Sequence, residues 1–218
     1  MTLPRLNAIL DDDVARSAGW TVPDLARACL AGGARFLQVR AKHLASGPFL
    51  ALCDEVVALA APYRAMVIVN DRADIARISQ ATGVHVGQED LPPSAVRAVL
   101  GKTALVGLST HTPDQLRSAL VEPIDYVAVG PVFGTATKHT GHAAVGLDFV
   151  SYAAAVARAA AAGADRPQRP IVAIGGIALE QARAVIAAGA ASVAVISDLL
   201  STGDPETRVR EYLKALDG

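Results

Sequence analysis

Polar side chains stand at the ends of short apolar segments in this sequence. The segment RFLQVR (35–40) ends in Gln38 and Arg40, and Lys42 follows two residues later. Residues two apart on a strand share a face, so Gln38 and Arg40 can both point inward. Arg and Lys are ordinary residues where a strand meets solvent, but a Gln inside an apolar run is less so. We therefore interpret these three residues as a binding set.

Two carboxylates follow the next two apolar segments. MVIVN (66–70) ends in Asn70 and is followed by Asp71, whereas GVHVG is followed by Glu89 and Asp90. Taken singly, each acid could cap the helix that comes after it. Taken together, two acids at adjacent strand ends could share a cation, and Mg²⁺ prefers carboxylate oxygens and water. Beside the basic residues above, the pair predicts a metal-bridged phosphate site.

A long loop, GPVFGTATKHTGHAAVG (130–146), follows another apolar segment. Connections between a strand and a helix are usually about two to six residues long. Gly134, Thr135, Thr137 and Lys138 supply backbone N–H groups, hydroxyls and one ammonium, which are all hydrogen-bond donors. Such donors suit the oxygens of a phosphate. A flexible surface loop could have the same composition, but it would not require Thr and Lys to cluster.

Eight apolar segments alternate with Ala- and Leu-rich segments of helical character. Strands that alternate with helices predict a parallel sheet covered by helices, and near-continuous apolar runs are typical of strands buried on both faces. We expect an α/β protein, a single-domain (β/α)8 barrel over residues 1–218. An open doubly wound sheet would be favoured by a glycine pattern after the first strand, and DDDVARSAGW is not one. The candidate strands are 6–10, 35–40, 66–70, 83–87, 104–109, 125–130, 170–176 and 192–197.

The barrel prediction makes the remaining strand ends candidate site positions, because active sites of such barrels lie at the carboxyl ends of the strands. The seventh strand ends in Gly175-Gly176 and the eighth in Ile196-Ser197, where barrels often bind phosphate. A glycine pair is also common in tight turns. Ser109 ends the fifth strand, and we interpret His111 as a buried core histidine. Two anion sites facing two acids suggest an enzyme that joins or splits phosphorylated small molecules.

Composition excludes several classes of protein. The chain has 20 basic and 21 acidic residues, for a formal net charge of −1, which argues against a general binder of nucleic acid or anionic membranes. Its hydrophobic fraction of 52% is sufficient for a full core. Cys29 and Cys53 match no metal or disulfide pattern. The sequence contains no signal peptide and no membrane span, so we expect a cytoplasmic protein.

Several long motifs occur in order and resemble the thiamine-phosphate synthase family over nearly the whole chain after the first strand. They are QVRAK (38–42), VNDRADIA (69–76), GVHVGQEDLP (83–92), GLSTH (107–111), GPVFGTATK (130–138), VAIGGI (172–177) and AVIS (194–197). The resemblance implies a transferase of thiamine biosynthesis with a βα barrel. Such an enzyme joins a pyrimidine methyl pyrophosphate to a thiazole phosphate and releases pyrophosphate.

The resemblance also implies roles for individual residues. The pyrimidine pyrophosphate would contact Gln38, Val39, Arg40, Ala41, Lys42, Asn70 and Ser109. Asp71 and Asp90 match magnesium ligands. The loop residues Thr135, Ala136, Thr137 and Lys138 would bind the thiazole phosphate and pyrophosphate, and Gly176, Ile196 and Ser197 the thiazole phosphate. Arg40, Lys42 and Lys138 would act in catalysis by stabilising the departing pyrophosphate.

The sequence departs from the family pattern in three places. Ala41 replaces an acidic residue, Gly134 replaces a common proline, and the first strand lacks the usual aromatic residue, so we assign it no site residue. His139 and His142 are given no role, and a homodimer is left open. Two alternatives are a thiazole tautomerase, which would not need the two aspartates or the 38–42 segment, and a catalytically silent phosphate-binding barrel. A generic sugar-phosphate barrel is weaker, because it leaves the donor-rich loop unexplained.

Overall fold

Eight parallel strands close into a barrel in which each strand pairs with its neighbours in the sequence and β1 pairs with β8. The computed structural model describes residues 2–134, 143–163 and 167–217. The predicted (β/α)8 architecture is confirmed, and every predicted strand is present. The strands are β1 (Leu6–Asp11), β2 (Phe36–Arg40), β3 (Met66–Asn70), β4 (Gly83–Val86), β5 (Leu105–Thr110), β6 (Tyr126–Val129), β7 (Ile171–Ile174) and β8 (Ser192–Val195).

Helices cover the outside of the barrel. Apart from two 3₁₀ turns, at Ala61–Tyr63 and Ser197–Leu200, the helices in the described ranges are α1 (Asp12–Ser17), α2 (Val22–Gly32), α3 (Ser46–Ala60), α4 (Ala73–Ile78), α5 (Pro93–Leu100), α6 (Pro113–Ala119), α7 (Gly146–Ala162), α8 (Leu179–Ala187) and α9 (Pro205–Asp217). None of them has both the length and the apolar character needed to cross a membrane.

Two apolar clusters follow from the alternation of side chains along the strands. Inward-facing residues such as Ile9, Phe36 and Tyr126 fill the barrel itself. Outward-facing residues such as Leu10 and Val39 pack against the helices in a larger cluster. Inward-facing apolar residues therefore pack the inside of the barrel.

Candidate active site

A cavity of about 410 Å³ lies at the carboxyl ends of the strands and reaches into the barrel. Apolar inward residues, including Ile9, Val172 and Ala194, form part of its wall. The polar side chains and glycines that line it come from almost every side of the barrel: Asn7, Gln38, His85, Ser109, His111, Gly130, Gly134, Gly175, Gly176, Ser197, Asp198 and Ser201. A mainly apolar cavity with a few converging polar groups is typical of a small-molecule site.

A buried hydrogen-bonded chain crosses one wall of this cavity. The two ring nitrogens of His85 lie 3.1 Å from the Tyr126 hydroxyl and 2.8 Å from Ser109 Oγ. The His85 ring also stacks on the Tyr126 ring, with 5.5 Å between centroids. Burial raises the pKa of Tyr126, which therefore stays a neutral phenol. These hydrogen bonds hold the Ser109 hydroxyl in place. Gln88 Nε2 also donates to the Ser109 carbonyl at 2.6 Å.

His111 lies on the same wall and is half-buried rather than part of the core. Its Nδ1 is 2.7 Å from the Gly130 carbonyl oxygen, and its backbone N–H donates to Gln115 Oε1 at 2.7 Å. A carbonyl oxygen only accepts, so Nδ1 carries a proton. The ring is thereby tied to the end of β6.

The basic residues predicted from β2 lie at its carboxyl end, where Arg40 ends the strand and Lys42 follows two residues later, and neither side chain lines the cavity. Arg40 donates to the carboxylate of Asp11, which stands opposite it in the register of β1 and β2. Lys42 is half exposed, and its Nζ lies 3.3 Å from Asp71 Oδ2. Gln38 is buried and lines the cavity itself. Of the three predicted residues, only Gln38 thus faces the cavity, whereas the two cations lie at the end of β2 and just beyond it.

Val39 and Ala41 differ from their neighbours, because both side chains belong to the outer apolar cluster between barrel and helices. Only the backbone of these two residues is then available to a ligand. The replacement of an acidic residue by Ala41 is accommodated by this packing, since an alanine at that position is buried.

The two predicted metal ligands form an acid pair on the loops after β3 and β4. Asp71 has φ = 65°, a left-handed conformation that is uncommon for non-glycine residues, although Asp tolerates it better than most. Burial raises the pKa of Asp71, and the nearby charge of Asp90 raises it further, whereas Lys42 lowers it. Asp90 Oδ2 accepts the Gly87 N–H at 2.7 Å.

The alternative role of these acids as helix caps is not seen. The N-cap positions of α4 and α5 are Arg72 and Pro92, and neither helix end has a side-chain cap bond. The two acids therefore lie close together, and neither caps the helix that follows it. Two hard oxygen donors that repel each other fit a divalent cation, which would neutralise the repulsion.

The loop after β6 starts beside the loop after β7. The Val132 and Phe133 N–H groups donate to the carbonyls of Ile174 and Gly175, both at 2.9 Å. Gly176 has φ = 63°, and a Cβ there would collide with the carbonyls of Phe133 and Gly134. Thr135, Ala136, Thr137, Lys138, His139 and His142 lie outside the described residues.

The loops after β7 and β8 form another part of the cavity wall. Gly175 and Gly176 both have positive φ, which brings the backbone close to the cavity. The 3₁₀ turn that begins at Ser197 follows β8, and Ile196 and Ser197 line the cavity with these glycines. Asp198 of the same turn accepts hydrogen bonds from α8 and α9. The predicted phosphate-binding residues of this side are thus brought together.

Comparison with known proteins shows which family this chain belongs to. The family model described as thiamine monophosphate synthase matches residues 6–199. The chain belongs to the thiamine monophosphate synthase family. The resemblance read from the motifs is confirmed.

Members of the thiamine monophosphate synthase family match over almost the full length. A thiamine-phosphate synthase from Koribacter versatilis is 41% identical over 218 residues, covering 99% of this chain and 97% of that protein. Another from Anaeromyxobacter dehalogenans is 45% identical over 192 residues, covering 88% and 82%. The structure of thiamine phosphate pyrophosphorylase from Pyrococcus furiosus is similar with a TM-score of 0.83 at 26% identity, covering 98% and 95% of the two chains.

Several residues of the site were not singled out from the sequence, among them His85, Tyr126, Asp11 and Asp198. His85 and Tyr126 line the cavity, Asp11 contacts Arg40, and Asp198 ties three elements together. The alternation in GVHVG places His85 on the same face as the two glycines, so the sequence alone could have indicated that His85 points into the barrel. Asp11 and Asp198 looked like ordinary loop acids, because their partners are distant in sequence.

Proposed function

We propose that this chain, as one catalytic domain over residues 1–218, is a thiamine-phosphate synthase. This transferase joins a pyrimidine methyl pyrophosphate to a thiazole phosphate and releases pyrophosphate. The observation that carries the proposal is that the carboxyl end of one barrel carries two features together. One is a cavity lined by Gly175, Gly176 and Ser197, and the other is an acid pair with two cations at and after the ends of β2, β3 and β4. The membership of the family supports the same reaction.

The pyrophosphate would lie at the rim formed by β2, β3 and β4. Arg40 and Lys42 supply positive charge there, and Asp71 and Asp90 would hold Mg²⁺. A bound Mg²⁺ would neutralise the charge that develops on the departing pyrophosphate. The raised pKa of Asp71 supports this role, because a carboxylate held beside another acid lacks a sufficient counter-charge in the protein alone.

The pyrimidine ring would enter the cavity next to Gln38, Asn70 and Ser109. Asn70 is buried at the end of β3, and Ser109 is fixed by His85. Amide and hydroxyl groups can both donate and accept, which suits the nitrogen atoms of an aminopyrimidine. The backbone of residues 39 and 41 would also contact this substrate.

The thiazole phosphate would lie in the cup formed by Gly176, Ile196 and Ser197. We propose that Thr135, Ala136, Thr137 and Lys138 bind this phosphate and the pyrophosphate. The hydrogen bond from the Phe133 N–H to the Gly175 carbonyl supports this role, since it starts the loop beside the cup. Lys138 would then stabilise the leaving group.

The chemistry needs positioning and charge more than a protein nucleophile. As the C–O bond breaks, the pyrimidine amino group donates electrons to the reacting carbon, and the thiazole nitrogen then attacks it. Arg40, Lys42 and Lys138 would stabilise the negative charge that grows on pyrophosphate. Holding the two substrates against each other in one cavity supplies much of the rate.

The test is pyrophosphate release from the purified protein given both substrates, with Mg²⁺ and again with EDTA. We expect release that matches thiamine phosphate formation one to one and disappears in EDTA. Isomerised thiazole phosphate without product would instead identify a tautomerase, and ligand binding without turnover a silent barrel. The proposal includes a cytoplasmic location, which is compatible with the free thiols of Cys29 and Cys53.

A further inference from the structure

Asp198 is the centre of a hydrogen-bonded cluster behind the proposed thiazole phosphate cup. Its Oδ2 accepts from Arg208 Nη2 at 2.8 Å and Nε at 3.1 Å, and from the Tyr212 hydroxyl at 2.5 Å. The Leu179 N–H, at the first residue of α8, lies 3.3 Å from the same oxygen. One carboxylate oxygen thus joins the turn after β8 to α8 and α9.

The cluster also reaches the loop after β7. The Tyr212 hydroxyl lies 3.2 Å from the Ile177 carbonyl oxygen, one residue after Gly176. Tyr212 is fully buried, and Arg208 is 9% exposed and lies over the Tyr212 ring at 5.6 Å. Burial and the hydrogen bond to Asp198 both raise the pKa of Tyr212, which keeps its hydroxyl protonated as a donor. Two side chains of α9 therefore hold both loops of the cup.

The charges of Asp198 and Arg208 also affect phosphate binding. Asp198 lines the cavity next to Ser197, where its negative charge would oppose a phosphate. Arg208 contacts the carboxylate through two nitrogens and compensates that charge. A phosphate can bind beside Asp198 because the carboxylate is already paired on its far side.

We propose that Tyr212, Arg208 and Asp198 are positioning residues for the phosphate of the thiazole substrate, and that α9 is therefore part of the active-site machinery. The inference rests on the proposed function, which places that phosphate at Gly176 and Ser197. None of the three residues needs to touch the substrate. They fix the distance between the loops after β7 and β8, and they remove a repulsive charge from the cup.

The first test is Tyr212→Phe, which deletes one hydroxyl and keeps the ring in the core. We expect the KM for thiazole phosphate to rise about tenfold, as for the loss of one hydrogen bond. The KM for the pyrimidine pyrophosphate should stay within about twofold, because its side of the cavity is unchanged. The matched control is Tyr152→Phe, which deletes a hydroxyl that contacts Arg117 on the outer helices at 2.5 Å; neither KM should change.

The second test separates charge from packing. Arg208→Met leaves Asp198 uncompensated and should raise the KM for thiazole phosphate more than Tyr212→Phe does. Adding Asp198→Asn removes the charge, so the double variant should recover a lower KM than Arg208→Met alone. If Arg208→Met does not fold, which thermal denaturation shows, the Tyr212→Phe comparison decides the matter.

The outcomes separate the two proposals. An equal rise in both KM values, or a loss of stability with both KM values unchanged, would assign the cluster a purely structural role and overturn the inference while the function stands. Absence of turnover in the unmodified protein would reject the proposed function and the inference with it. A selective rise for thiazole phosphate supports both.

Discussion

Asp11 and Arg40 stand opposite each other at the ends of β1 and β2, and the Asp11 carboxylate accepts a hydrogen bond from Arg40 Nη1. The other Asp11 oxygen accepts the Val14 N–H at 3.1 Å and so caps α1. Asp11 is 3% exposed and Arg40 12%. A strand that the motifs left without a site residue thus holds the orientation of a proposed catalytic arginine.

Asp11→Ser separates the two roles of this residue, since serine is a good N-cap but cannot pair with arginine. We expect the KM for the pyrimidine pyrophosphate to rise about tenfold, because Arg40 loses its fixed orientation, while the KM for thiazole phosphate stays unchanged. Stability should fall by about 3 kcal/mol, as when a buried ion pair loses one partner. Steady-state kinetics and urea unfolding measure the two effects.

The control for Asp11→Ser is Asp125→Ser, which breaks the pair between Arg97 and Asp125 just before β6, at the amino end of the barrel. It should lower stability without changing either KM. If Asp11→Ser behaved in the same way, Asp11 would be a structural residue only.

Asp71→Asn and Asp90→Asn should abolish the effect of Mg²⁺ on the protein. Without metal, each variant should be at least as stable as the unmodified chain, because burial and like charge already oppose the ionised form of Asp71. Mg²⁺ at about 100 times its dissociation constant should stabilise the unmodified protein by about 2.7 kcal/mol. Thermal unfolding with and without Mg²⁺ measures both quantities.

Glu89→Gln is the matched control for the acid pair, since Glu89 is the exposed acidic neighbour of Asp90 and could equally have capped the next helix by its sequence position. It should keep the full Mg²⁺ effect. If Glu89→Gln lost the Mg²⁺ effect and Asp90→Asn kept it, the metal-ligating residue would be Glu89 rather than Asp90.

Lys138→Ala should lower kcat by about 10² to 10³, the range seen when one group that stabilises developing charge is removed. Circular dichroism and thermal unfolding should be unchanged, because this residue is proposed to act on the leaving group. Lys102→Ala, in the connection that precedes β5 at the opposite end of the barrel, is the control. An unchanged rate for Lys138→Ala would contradict the role assigned to it.

Cys29 and Cys53 should resist alkylation in the folded protein. Burial raises the pKa of each thiol to about 12, and both are fully buried. Thiolate, the reactive form, is therefore almost absent below about pH 10. Reaction with iodoacetamide at pH 8, followed by mass spectrometry, should label both residues only after unfolding; rapid labelling of the native protein would contradict the structure.

The same raised pKa values affect stability at alkaline pH. The pKa of an unfolded thiol is 9.0, whereas the pKa of each thiol in the folded protein is about 12. The folded state then binds more protons, so the stabilising contribution is fully present below pH 9 and is lost as the pH rises toward 12. Replacing both residues by alanine should flatten this part of the stability curve.

Gly107→Ala should damage both the core and the cavity. A Cβ at Gly107 would overlap the Tyr126 ring and approach His85 Nδ1 to 2.5 Å. We expect a loss of about 1–3 kcal/mol, typical of an overpacked core, together with lower activity because Ser109 is held by His85. Gly47→Ala in α3, where no atom lies within 4 Å, is the control and should not destabilise. Equal stability of the two variants would disprove this packing.

The eight strands and the helices that alternate with them could be predicted from the sequence. Apolar runs and their alternation are local patterns, so the position of β4 and the inward face of β2 could be predicted from a few residues. The family motifs are local as well, which is why the synthase assignment followed from 38–42, 69–76 and 130–138 together.

Which distant residues meet could not be predicted from local patterns. The contact between Asp11 and Arg40 depends on the register of two strands, and that between Asp198 and Tyr212 depends on the docking of α9 against the carboxyl end of the barrel. The sequence equally allowed Asp71 and Asp90 as helix caps, and backbone geometry resolved that choice. Barrel closure brings residues from β1 and β8 side by side, and no local pattern encodes that proximity.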